Sequence, residues 1–181
     1  MGIRETIKKY NKQSKKIRMY IIAVSIISLM FPVVVFYLLP NNMLIAFQII
    51  YALMLTLMVT VSFIAANSLG NKDLRNADIY HPYKMKGFWI GFTAQLPIWI
   101  ISLMIFFMRN IIFGEIFEPV AKNYFSTVLV LQYTNVISIF NYSMWGHIAS
   151  IFVIPLVCMV GYLLAYYKID IDDRVGGMHK T

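Results

Sequence analysis

The sequence predicts an all-α fold: a polytopic transmembrane helical bundle with four spans and an interfacial helix on the outer face. Three observations predict it. Sixty per cent of the 181 residues are apolar and 13% are charged, against roughly 45–50% and 25% in soluble domains. The charges are segregated, leaving Met19–Asn71, Gly87–Met108 and Asn123–Tyr167 without a charged side chain. The basic residues gather at the chain start and in two short polar segments. Such a pattern excludes an ordinary soluble domain and a disordered chain.

The basic tail, residues 1–18, carries seven Lys or Arg and one Glu. Ile3, Ile7, Tyr10 and Ile17 share a helical face, with lysines mostly on the rest. An amphipathic helix on the inner leaflet fits, with anionic lipid headgroups as its partner and the bilayer as the partner of the whole chain. Nucleic acid is not expected, because aromatic residues other than Tyr10 are missing from the tail.

The membrane domain is residues 19–167, and a cytoplasmic tail, residues 168–181, follows. The first span is 19–39; its 21 residues reach about 31 Å, enough for a hydrocarbon core of about 30 Å. It is too long for a cleavable signal segment and ends in the Pro40-Asn41-Asn42 turn. The second span is 43–66. Residues 67–86 form a polar loop containing Asp73, Asp78 and His81, which reads as solvated. The third span is 87–108.

Glu115, Glu118, Pro119 and Lys122 exclude the next stretch from the bilayer core. Residues 124–140 are uncharged but short and rich in Ser, Thr, Gln and Asn, so they read as a helix at the surface or dipping in. The fourth span is 146–167. With four crossings, fourteen basic residues fall on one side and two on the other. The richer side is the cytoplasm, which holds both termini. The abundance of Ile, Asn, Lys and Tyr suggests a bacterial plasma or inner membrane.

Small and polar residues drive helix packing in lipid, where apolar burial adds little. Gln48, Thr56 and Thr60, with Ala52 between, recur every four residues on the second span. Gly87, Gly91, Gln95 and Ser102, with Ala94, share a face of the third. The two faces are expected to meet, either as simple packing or as the lining of a polar cavity. The fourth span offers Ser150, Cys158, Gly161 and Ala165 on one face. Pro32, Pro97 and Pro155 are expected to kink three spans. Trp99 lies near mid-span, and its indole N–H needs a partner.

Proton-coupled transport needs ionisable groups within the spans, and only His147 comes close, at the outer edge. No nucleotide-binding loop and no metal-ligand spacing is present, so no cofactor, metal or catalytic residue is expected. The expectation is a non-enzymatic subunit or accessory protein of a larger membrane complex, partnered by another membrane protein or by further copies of itself. The alternative is a channel or carrier for an uncharged small solute. An enzyme centred on Asp73, Asp78 and His81 is the third reading.

Overall fold

The computed structural model describes residues 3–38, 43–77, 81–113 and 128–167. The expected turn at Pro40-Asn41-Asn42, Asp78, residues 114–127 and the tail at 168–181 fall outside this set, as do the side chains of residues 3–9, 32–38, 43–44, 105, 109–113 and 128–130. The described chain is helical and contains no strand. Its elements are α1 (Ile3–Leu38), α2 (Met43–Arg75), α3 (Lys86–Phe113), a 3-10 helix (Val128–Tyr133), α4 (Thr134–Ile139), α5 (Met144–Ile151) and α6 (Val153–Tyr166). Three helical stretches among the described residues are long and apolar enough to cross a membrane: Ile45–Arg75, Lys86–Met108 and Met144–Tyr166.

No break separates the basic tail from the apolar run that follows it. Ser14, Ile17, Ile21, Val24 and Ser28 are all buried, at alternating spacings of three and four. That spacing keeps one seam of a helix against its neighbours. The tail therefore enters the bundle as the first turns of α1 and packs with it.

The bundle is organised around α6, which lies between α2 and α3. Its residues Ile154, Cys158, Tyr162 and Ala165 are buried. Glycines permit the close approach on both sides. A Cβ at Gly87 would stand 2.5 Å from the Cys158 carbonyl oxygen, and one at Gly91 would stand 2.8 Å from Pro155 Cα. On the other flank, a Cβ at Gly161 would stand 2.6 Å from the Phe63 carbonyl oxygen. The small-residue faces of the third and fourth apolar tracts thus meet each other.

The second and third tracts touch, but not through the expected face of the second. The buried residues of α2 are Tyr51, Met58, Ser62, Ala65, Ala66 and Asp73, whereas Gln48, Ala52, Thr56 and Thr60 face outward. Periodicity identifies residues that share a face but not which helix covers it. Here α6 occupies the groove that α2 and α3 would otherwise have closed between them.

Of the segment after α3, the described part from residue 128 dips into the bundle, one of the two placements its composition allows. Leu131, Gln132, Tyr133 and Ile137 are buried, and the 3-10 helix is inserted among α1, α2 and α3. Backbone that departs from the α-helix is tolerated in a membrane bundle where protein surrounds it. The chain then reverses through Asn141 and Tyr142, with φ of 51° and 55°, into α5.

Candidate functional site

Two buried polar clusters carry the chemistry of this bundle, one at the end where α2 stops and α3 starts, one deeper. The end cluster arises because α2 does not stop at Ala66. Gly70 and Asp73 continue its buried stripe at the fourth and seventh positions beyond Ala66. Lys72 and Arg75 sit in its last turn, where cations offset the helix dipole. Asp73 is thereby drawn inside, 1% exposed, and Lys86 at the start of α3 is equally buried.

Lys86 Nζ lies 2.5 Å from Asp73 Oδ2. The Tyr162 hydroxyl donates to the same oxygen at 3.0 Å, and Gln13 Nε2 donates to Asp73 Oδ1 at 3.1 Å. One carboxylate therefore joins α1, α2, α3 and α6. The reading of Asp73 as a solvated loop residue is corrected: the helix extends far enough to turn it inward. Nearby, the hydroxyls of Tyr10 and Tyr83 are 2.5 Å apart. Burial, and then the bond to Tyr10, hold Tyr83 well above the ordinary phenol range.

The deeper cluster depends on proline. Pro97 lies inside α3 and has no N–H for the carbonyl four residues before it, that of Thr93. Arg18 from α1 supplies the missing donor, its Nη2 lying 2.9 Å from that oxygen. The same guanidinium bonds Asn11 Oδ1 at 2.6 Å and Ser14 Oγ at 3.3 Å. Pro155 likewise leaves the Ile151 carbonyl without a helical donor, and Gln95 Nε2 donates to it at 3.1 Å.

The Gln95 amide oxygen accepts from the Tyr133 hydroxyl at 2.8 Å and from the indole N–H of Trp99. Trp99 thus has the partner its depth requires. Its ring packs against Tyr133 with centroids 5.7 Å apart. Gln132 Nε2 donates to Ser25 Oγ at 3.1 Å, which ties the 3-10 helix to α1. Asn135 Nδ2 donates at 2.9 Å to the backbone carbonyl of Gln48, tying α4 to α2.

The residues singled out by sequence therefore divide. Gly87, Gly91, Gln95 and Ser102 are interior, and Gly87 and Gly91 abut α6. Gln48, Thr56 and Thr60 are exterior, and the two threonine hydroxyls bond the carbonyls of Ala52 and Thr56 in their own helix, each at 2.9 Å. The two groups therefore do not share one face of the bundle. Pro97 and Pro155 expose carbonyls that other helices use, and α1 runs on past Pro32 to Leu38. His147 is buried, with Nδ1 3.0 Å from the Ser143 carbonyl and its ring 4.6 Å from that of Phe106. Cys158 is a buried packing residue. Among the described residues, no three His, Cys, Asp or Glu side chains converge as metal ligands.

Sequence reasoning missed Asp73–Lys86 and Arg18–Thr93. The first had a signal, the continuation of the α2 stripe through Gly70 to Asp73. The second had half of one: a proline in a helix implies a free carbonyl, but not which donor reaches it. No protein-family model matches the chain, and neither a curated protein nor a solved structure is similar to it.

Proposed function

We propose that the chain is a four-span membrane protein, with α1 as the first crossing and both termini on the basic, cytoplasmic side. In this reading it acts without catalysis, as a subunit or accessory protein of a larger complex in a bacterial plasma or inner membrane. The observation that carries the proposal is the division of the polar residues. Asp73, Gln95 and Arg18 bond other helices inside the bundle, while the Gln48, Thr56 and Thr60 side chains are exposed along α2. An outward polar stripe in lipid is suited to a second transmembrane helix, because small and hydroxylated residues allow close approach.

Extraction in mild detergent, followed by two successive separations and mass analysis, tests this. A second membrane protein should co-migrate in fixed ratio with the wild type and be lost from Thr56→Leu/Thr60→Leu. A monodisperse monomer from native membranes overturns the proposal.

One feature favours the alternative of a channel or carrier for an uncharged solute. The 3-10 helix fills the space between α1, α2 and α3, and Gln132 Oε1 within it is buried without a hydrogen-bond partner. Flux of neutral solutes into proteoliposomes, abolished by Gln95→Leu, would support that reading; no flux of any of them removes it.

A further inference from the structure

Beyond Asp73, the outward side of α2 ends in a recess of about 550 Å3 that none of the roles above uses. Its lining changes character along the helix. Ile64 stands at one end, exposed and apolar. Asn67 and Asn71 follow at the third and seventh positions beyond it, then Lys72, Arg75 and Asn76. Two cations and three amides thus face one recess, and among the described residues no carboxylate lines it. The one acid of this turn, Asp73, points the other way and is paired with Lys86. Among the described residues neither Lys72 nor Arg75 pairs with a carboxylate.

The amides are held in place. Asn67 Nδ2 donates to the Gly161 carbonyl at 3.0 Å, and Asn71 Nδ2 donates to Asn67 Oδ1 at 3.3 Å. Asn76 Nδ2 donates to the Lys72 carbonyl at 3.1 Å. The recess lies where the apolar stretch of a helix able to cross the membrane gives way to polar residues. A headgroup phosphate held at that depth would have its acyl chain running back towards Ile64. A planar guanidinium and an ammonium three residues apart on a helix can both reach one phosphate.

We propose that this recess binds the phosphodiester of an anionic lipid. It is a site on α2, separate from the general attraction of the basic tail for a charged surface. The proposal rests on α2 crossing the bilayer, and recovery of the full chain in the membrane fraction tests that premise in the same preparation.

The test is native mass spectrometry of the full chain in mild detergent, titrated with phosphatidylglycerol or with phosphatidylcholine. Wild type should retain phosphatidylglycerol preferentially. Each lost charge should weaken retention about fivefold, so that Lys72→Gln/Arg75→Gln weakens it roughly twenty-five-fold. Lys12→Gln/Lys15→Gln, which removes two exposed charges of the tail, should leave it within about twofold. Equal retention of the two lipids by wild type overturns the proposal without any variant. So does equal loss in the two double variants, which would mean that only net charge matters. Inorganic phosphate should not displace the lipid; displacement at millimolar concentration would make a soluble anion the occupant and overturn it as well.

Discussion

The two buried polar clusters solve one problem with different chemistry. At the end of the bundle the tie between helices is an ion pair, Asp73–Lys86, completed by Tyr162 and Gln13. Deeper, around Gln95, every partner is neutral: two side-chain donors, Trp99 and Tyr133, and the carbonyl that Pro155 leaves open. Arg18 stands between, a charge that reaches inward to one backbone oxygen. Charge becomes costlier with distance from water. A full ion pair is tolerable where water and headgroups are close, and amide chemistry replaces it further in. The contrast teaches that depth selects the type of bond, while the need to hold neighbouring helices together is common to both.

The largest expected effect is at the ion pair. Asp73→Ala leaves Lys86 buried without its carboxylate and should cost about 3–5 kcal/mol. Thermal unfolding in detergent would read it, and Asp73→Ala/Lys86→Met should recover much of the loss. An unchanged melting temperature for the single variant would mean that Lys86 reaches water, and the contrast with the deeper cluster would fail.

Gly91→Leu comes next. Its side chain would collide with Pro155 Cα and Cys158 Cβ, at 2.8 and 2.9 Å from the first added atom. Neither is the tip of a flexible side chain, so the cost should lie near the upper end of about 1–3 kcal/mol for overpacking. Smaller again is Gln95→Leu. It strands the Trp99 and Tyr133 donors and the Ile151 carbonyl, for about 1–2 kcal/mol in all, because hydrogen bonds between membrane helices average about 0.6 kcal/mol each. A loss as large as that of Asp73→Ala would erase the distinction between the charged and the neutral cluster. The smallest effect belongs to Thr56→Leu/Thr60→Leu, within about 0.5 kcal/mol, because these side chains face outward. A marked destabilisation in the isolated chain would place them at an internal contact.

The α3 face was legible in the sequence almost residue by residue. Gly87, Gly91, Ala94, Gln95 and Ser102 are all interior, because small and polar residues at helical spacing in an apolar tract have few other uses in lipid. The α2 face was equally regular and yet lies outside. The Gln48, Thr56 and Thr60 side chains are exposed, and the two threonine hydroxyls bond carbonyls of their own helix; nothing in their spacing distinguishes a face that packs inward from one that does not. Asp73 reads as a loop residue because the polar Asn67, Ser68 and Asn71 and the charges that follow end the apolar span at Ala66, whereas the helix and its buried stripe continue for two more turns.

The sequence by itself determined that the chain is helical, that it contains tracts able to cross a membrane, and which residues of α3 and α6 would be covered. Those follow from composition and from the period of the helix, which are local properties. Only the tertiary structure decided that α6 lies between α2 and α3, that the segment after α3 enters the bundle, and that the Pro97 and Pro155 carbonyls are met by Arg18 and Gln95. Each of those facts joins residues far apart in the chain. A local pattern can declare that a face or an acceptor needs a partner, but the partner is settled by how all the helices share one limited volume.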